Sequence, residues 1–302
     1  MSIFDVFKKK SEDKPKAATS EPSLTATVSV EKGSADTTSE VKVNVNINEG
    51  APKSQTFEEV APQNIGKLDM VIAFDTTGSM AQYIGAVRKE VSELIPQLFR
   101  DNEDLRLGIV AFGDYCDMEN PQVFGDAYQS IPPTDNVNEL IGFVMTSKNT
   151  HGGDGDEFYE LVIKKIVEET PWREGSTRSI LLIADSNPHE LGYTYENCVK
   201  NNQIDWRKEA RKAADKKIKI DTVAILNQPW YKELSMMTNG VSVPFRTGSN
   251  TVHLVRASVM SRGSMKAREH FDELMRNCES GSDEELKNVY RSYKKERNSF
   301  DA

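Results

Sequence analysis

Cysteine is scarce: Cys116, Cys198 and Cys278 are the three in 302 residues. They stand far apart with no CxxC or Cys/His spacing, which excludes a disulfide framework and a cysteine-ligated zinc site, and fits a reducing, cytoplasmic compartment. Basic charge is also short. The 38 Lys and Arg against 47 Asp and Glu leave a net charge of −9, so no surplus exists to neutralise phosphates and general nucleic-acid binding is not expected. Nor does any run approach the ~18 apolar residues of a membrane span. At the N-terminus a short apolar patch (Ile3, Phe4, Val6, Phe7) precedes Lys8, Lys9 and Lys10, the reverse of the secretory order, so export by an ordinary signal peptide is not expected. The patch suits a short amphipathic helix docking on a protein; a single patch of this size binds lipid weakly, and membrane contact is not the expectation. The length is ample for one full core without disulfides or a structural metal.

Composition shifts near Gly66. Residues 1–66 are rich in Ser, Thr, Lys, Glu and Val and read as an extension. Within it Leu24, Ala26, Val28, Val30 and then Val41, Val43, Val45, Ile47 alternate with polar residues, a period of two that reads as two strands of a hairpin. A hairpin alone is marginal and needs a cover, for which self-association of two copies would serve; the polar composition equally fits a disordered tail. Residues 67–262 carry the pattern of a folded domain, and residues 263–302 read as a C-terminal helical segment.

In the domain, strands and helices alternate. Leu68 to Phe74 is a near-continuous apolar run ending in Asp75, as expected of a strand covered on both faces. A helix is predicted over Ala81–Arg100, strands over Leu105–Phe112 and Val123–Tyr128, helices over Leu140–Met145 and Phe158–Val167, and a strand over Ser179–Ala184. A charged helix over Ile204–Lys217 and a strand over Ile218–Leu226 follow, with one or two shorter elements between Tyr231 and Ser261. Ser264–Cys278 and Glu284–Ser299 have helical periodicity, and Ser282 with Glu285 resembles a capping box for the second. This order predicts an α/β fold: a doubly wound, mostly parallel sheet flanked by helices.

Ligands of such sheets collect at the C-terminal strand ends. Three polar clusters stand at such ends: Asp75-Thr76-Thr77-Gly78-Ser79, the glycine-rich Thr150-His151-Gly152-Gly153-Asp154-Gly155-Asp156-Glu157, and Asp185-Ser186-Asn187-Pro188-His189. Alternate residues of an extended segment face one way, so Asp75, Thr77 and Ser79 can direct three oxygens to one point. Carboxylates and hydroxyls without sulfur or clustered imidazole suit a hard cation, Mg²⁺ first, with Mn²⁺ or Ca²⁺ as alternatives. Few carboxylates among neutral hydroxyls would leave such an ion charge and open positions, which a partner's Asp or Glu could fill.

These residues resemble the von Willebrand factor A domain with its metal-ion-dependent adhesion site. In that family a DxSxS or DxTxS motif is followed by a Thr on a second loop and an Asp on a third. The resemblance implies the metal ligands Asp75, Thr77, Ser79, Thr150 and Asp185, with Thr146 and Asp154 competing for the second-loop position. A closer likeness is to the branch found in alpha-kinase-associated and many bacterial A-domain proteins. Its first strand ends in D-x-T-G-S-M, a phenylalanine-aspartate-tyrosine stretch compares with Phe112-Gly113-Asp114-Tyr115, a GGGDGPE-like loop precedes a helix, and a strand ends in DAPPH. Here Asp156 replaces the usual proline and the third motif reads DSNPH. Bacterial or phage relatives of this kind would serve as adaptors in assembly, stress or defence systems. Asp114, Asp117 and Asp154 are candidates to orient the ligands, Asp114 being equally an ordinary turn acid. His189 belongs at the rim or serves as a structural hydrogen-bonding residue. Asp156 and Glu157 most simply favour the start of the next helix through its dipole.

The reading that follows is a non-catalytic, divalent-metal-dependent module that binds a protein partner presenting Asp or Glu. Two rivals differ in class. The metal site could merely stabilise a scaffold protein. Alternatively, Asp75-Thr76-Thr77-Gly78-Ser79 resembles the D-K-T-G-T of aspartyl-phosphate enzymes, with Asp75 as nucleophile for Mg²⁺-dependent phosphoryl transfer; the missing lysine counts against it. No Gly-Lys-Ser/Thr follows the glycine-rich loop and no kinase motif occurs.

Overall fold

The computed structural model describes residues 66–119, 127–194, 203–245 and 249–300, all within the compact unit Ala61–Ala302. The expected amphipathic helix and hairpin of the N-terminal extension lie outside the described residues. Strands β1 (Leu68–Asp75), β2 (Leu105–Phe112), β3 (Tyr128–Thr134), β5 (Thr177–Ala184), β7 (Ile218–Ala224) and β8 (Ser242–Pro244) form one sheet in the order β3-β2-β1-β5-β7-β8. All neighbours are parallel except β2 and β3, which run antiparallel. Helices α1 (Ile84–Asp101), α2 (Tyr115–Glu119), α3 (Val137–Thr146), α4 (Tyr159–Glu169), α5 (Trp206–Asp215), α6 (Pro229–Met237), α7 (Ser249–Arg262), α8 (Met265–Glu279) and α9 (Glu284–Phe300) flank it. Among the described residues no helix is long and apolar enough to cross a membrane.

The alternation along each central strand makes this a three-layer fold. In β1, Leu68, Met70, Ile72 and Phe74 enter the core beneath α1, α3 and α7 to α9, while Val71 and Ala73 enter the other, with Phe158, Tyr159, Trp206 and Trp230. Successive side chains point to opposite faces, so a strand that is apolar throughout must be covered twice, as all eight residues of β1 are. Each fully buried aliphatic side chain contributes about 1.5–3 kcal/mol, which makes the two cores the main source of stability.

Three local readings change. Of the strand expected over Val123–Tyr128, residues 123–126 lie outside the described residues; Tyr128 opens the strand Tyr128–Thr134. Pro132 and Pro133 disguise it; their nitrogens point to opposite sides, one to the open edge of the sheet and the other to β2, where the register shifts between Leu107 and Ile109. Between Tyr231 and Ser261 the chain fits parts of three elements, α6, β8 and α7. At the start of α9 it is Asp283, not Ser282, whose side chain accepts from Leu286 N at 3.0 Å, while its carbonyl accepts from Lys287 N; a carboxylate one residue nearer the helix takes the cap.

The C-terminal helices pack on the domain. Val289, Tyr290 and Tyr293 of α9 are buried in the first core, and a buried ion cluster ties α9 to α7 and the sheet. Arg262 donates to both oxygens of Asp221, at 2.6 and 2.9 Å, to Ser179 and Ser258, and to Glu296 at 2.8 and 3.0 Å. Burial opposes charge on Asp221, but the Arg262 guanidinium and hydrogen bonds from Ser258 and Val241 outweigh it and hold the carboxyl below its ordinary range.

Candidate metal centre

In the sheet order, β1 has β2 on one side and β5 on the other, so the strand order reverses between β1 and β5 and their C-terminal ends open a crevice. Asp75 closes β1 and Asp185 follows β5. Three loops meet there. The chain after β1 turns into a 3₁₀ helix, Gly78–Gln82. The glycine-rich loop is stitched to it by Thr150 N to Thr76 O, 3.0 Å, and Gly78 N to His151 O, 3.1 Å. Two-residue strands β4 (Asp156–Glu157) and β6 (Asn187–Pro188) pair in parallel and fasten the glycine-rich loop to the third.

Asp117 shapes the second loop: its carboxylate accepts from the backbone N–H groups of Asp114, His151 and Gly152 at 2.9 to 3.2 Å. Gly113 is required at this crossing, since a Cβ there would lie 2.5 Å from both Asp117 Oδ2 and Thr150 Oγ1.

Asp75, Thr77 and Ser79 form a hydrogen-bonded arc that Asp185 adjoins. Oδ1 of Asp75 accepts from the backbone N–H of Thr77 at 2.7 Å and from its hydroxyl at 2.6 Å. Thr77 Oγ1 lies 3.2 Å from Ser79 Oγ, and the Ser79 hydroxyl stands near enough to Asp185 to favour its charged form. Asp75 is fully buried and Ser79 exposed, so the arc runs from the sheet interior to the surface. Thr150 is buried beside it, but its hydroxyl lies 3.0 Å from that of Thr76, which donates to Phe112 O at 2.7 Å. Thr150 thus faces the β1–β2 side of the crevice. Thr146 donates its hydroxyl to Gly142 O within α3.

Two residues join the arc that sequence reasoning assigned elsewhere. Tyr159, the first residue of α4, donates its phenol to Asp75 Oδ2 at 2.6 Å and accepts from Ser186 N at 3.1 Å. Glu157 is buried rather than a solvated helix-start acid, with α4 beginning only at Tyr159. Burial, followed by the charges of Asp75 and Asp114, pushes its carboxyl up to about 11 against a hydrogen bond with Thr77. The signal for Glu157 is the acid that ends the glycine-rich loop; for Tyr159 the helical periodicity gives none, because the phenol is a core residue with a polar tip.

The electrostatics suit a cation. Burial, then the charge of Asp185, raises the Asp75 carboxyl to about 7 against the opposing donors Thr77 and Tyr159. Burial likewise raises Asp185, and its buried Oδ1 has no hydrogen-bond partner. No lysine or arginine pairs with Asp75, Glu157 or Asp185 among the described residues. Buried carboxylates without a counter-charge are costly. The donors are oxygens of hard character, two carboxylates and two hydroxyls in the arc, and a divalent ion fits them.

A second group adjoins. Asp114, Asp154 and His189, expected to orient ligands or line the rim, bring one ligand atom each to within 4.8 Å of one another. His189 Nε2 lies 3.4 Å from Asp154 Oδ1 and 3.8 Å from Asp114 Oδ1, and Nδ1 lies 3.5 Å from Glu160 Oε1.

Among solved structures, an aerotolerance-related membrane protein from Bacteroides fragilis is similar at 15% identity and a TM-score of 0.47, over 64% of this chain and 98% of that one. The conserved hypothetical protein BatB from Bacteroides thetaiotaomicron is similar at 15% identity and 0.44, over 62% and 95%. The pilus adhesin SpaC from Lactobacillus rhamnosus GG, in an open conformation, is similar at 14% identity and 0.45, over 63% of this chain and 29% of its own. No curated protein matches. Residues 69–255, more than half of the chain, match the von Willebrand factor type A domain. With the parallel sheet, its covering helices and this matched span, the chain belongs to the von Willebrand factor type A domain family, a family of protein-interaction and adhesion modules.

Proposed function

We propose that this protein is a non-catalytic interaction module whose arc of Asp75, Thr77, Ser79 and Asp185 holds a divalent cation, Mg²⁺ by preference, for recognition of a partner's Asp or Glu. The observation that carries the reading is the unpartnered buried Oδ1 of Asp185 after β5, in a residue close enough to Asp75 and Ser79 to act on their charges and hydroxyls, with Thr77 between those two. When bound, the ion would supply positive charge and open positions for a foreign carboxylate. Thr77 and Tyr159 fix the carboxylate of Asp75, and the exposure of Ser79 gives a partner access from solvent. Thr150 would take part by way of a water or a small shift of its loop. A cytoplasmic setting, with Mn²⁺ or Ca²⁺ as alternative ions and self-association through the N-terminal extension, belongs to the same reading.

Calorimetric titration with Mg²⁺ tests the ion, and affinity purification with and without chelator tests the partner. Saturable Mg²⁺ binding in the wild type, abolished in Asp75→Ala, together with capture that chelator and Asp75→Ala both remove, is the expected result. Capture that persists in Asp75→Ala while the melting temperature falls would make the site a structural stabiliser instead.

A further inference from the structure

We propose a second cation site beside the first, built by Asp114, Asp154 and His189 and selective for a transition ion of the zinc class rather than for Mg²⁺.

The residues come from three segments. Asp114 follows β2, Asp154 lies in the glycine-rich loop, and His189 directly follows β6. Their side chains are 0%, 2% and 3% exposed, so they are held by the fold and not gathered by chance at the surface. Asp114 Oδ1 is buried without a hydrogen-bond partner and points at the ring, 3.8 Å from Nε2; Asp154 Oδ2 is likewise buried and unpartnered. No lysine or arginine pairs with either acid among the described residues.

The spacing is that of ligands around an ion. Tetrahedral bonds of about 2.1 Å put neighbouring donors about 3.4 Å apart. The ring nitrogen stands 3.4 Å from Asp154 Oδ1, a hydrogen-bond contact in the metal-free protein, and 3.8 Å from Asp114 Oδ1, with all three donors within 4.8 Å of one another, near enough for an ion to draw them onto the edges of a coordination tetrahedron. A modest inward adjustment of Asp114 would close it.

The opposite ring nitrogen is provided for. Glu160 is fully buried; its Oε1 lies 3.5 Å from His189 Nδ1, and its Oε2 accepts the backbone N–H of His189 at 3.2 Å. Nδ1 and Glu160 Oε1 are both buried with no hydrogen-bond partner and face each other, so an ion on Nε2 would leave Nδ1–H to donate to Glu160, the carboxylate–histidine–metal arrangement that orients a ligating imidazole. Tyr115 and Tyr193 pack against the ring at 5.5 and 4.8 Å between centroids and fix its plane. Imidazole with two carboxylates selects zinc-class ions, whereas the arc of Asp75 offers oxygen alone. Three protein ligands leave a fourth position for water or for a partner's side chain.

The test uses the full chain, stripped with chelator and held in excess Mg²⁺ so that the hydroxyl-lined arc is occupied. Zn²⁺ is titrated by calorimetry into the wild type, Asp75→Ala, His189→Gln and Glu160→Gln, and Co²⁺ replaces Zn²⁺ to give a visible absorption reporting its coordination. The site predicts one Zn²⁺ equivalent in the wild type and in Asp75→Ala, loss of at least about tenfold in affinity in His189→Gln, and about 10–100-fold in Glu160→Gln. A readout on the unaltered protein guards against misfolded variants: long-range ¹H–¹⁵N spectra should show Zn²⁺ shifting Nε2 of His189. Zn²⁺ affinity unchanged in His189→Gln, or an imidazolium at His189 that Zn²⁺ leaves untouched, overturns the site in favour of a plain ion pair. Loss of Zn²⁺ binding in Asp75→Ala overturns its independence. Mg²⁺ binding that fails while Zn²⁺ binding stands would sink the proposed function alone.

Discussion

The phenol of Tyr159 holds Asp75: its proton goes to Oδ2 at 2.6 Å because the backbone N–H of Ser186 already occupies a lone pair of the hydroxyl. One side chain on α4 therefore couples the ends of β1 and β5. Stacking on Trp230, 5.2 Å between ring centroids, with Trp230 Nε1 donating to Ser186 O at 2.8 Å, keeps the ring in place.

Tyr159→Phe leaves the buried Asp75 carboxylate and the half-buried N–H of Ser186 without their partner. The expected cost is about 1–3 kcal/mol with the fold retained, measured by urea denaturation followed by circular dichroism. Mg²⁺ affinity should fall in the same variant, since the rotamer of Asp75 is no longer fixed; unchanged stability and affinity would refute the coupling.

The pH dependence of the metal-free protein has a definite sign. Asp75 is raised from 3.8 to about 7, by burial first, so the native state keeps a proton that the unfolded chain releases. The stabilisation is complete below the unfolded value near 4 and is lost as pH rises through about 7. Glu157, raised to about 11, continues the trend. In chelator, the melting temperature of the wild type should therefore fall relative to Asp75→Asn between pH 5 and 8, and Mg²⁺ should narrow that fall by favouring the ionised carboxylate.

Arg262→Met should cost about 3–5 kcal/mol, because it leaves Asp221 buried without its counter-charge. Arg262→Met combined with Asp221→Leu should recover part of that loss in chemical denaturation. Metal titrations should be unaffected, since Asp221 lies mid-strand, away from the crevice.

Gly113→Ala places a methyl 2.5 Å from Asp117 Oδ2 and Thr150 Oγ1. A shift of about 1–3 kcal/mol is expected, accompanied by faster hydrogen exchange at the amides of His151 and Gly152, which Asp117 caps. Unaltered exchange would show that the loop has room to give.

The layers are legible in the amino-acid pattern. An apolar run such as Leu68 to Phe74 has to be covered on both faces, and its alternation with amphipathic helices leaves few arrangements other than a parallel sheet between two helical layers. It also marked Asp75, Thr77, Ser79 and Asp185, because polar residues directly after buried strands stand at the strand ends whatever the detail. Tertiary structure alone decided the partners. That Thr150 faces Thr76, that Glu157 is buried, and that Tyr159 and not an acid anchors Asp75 depend on which loops cross, and the edge strand of Pro132 and Pro133 depends on its place in the sheet. The juxtaposition of Asp114, Asp154 and His189 is of the same kind, since residues far apart in the chain meet only where β2, the glycine-rich loop and β6 converge. Periodicity reports which face a residue occupies; only the packed fold reports what it touches there.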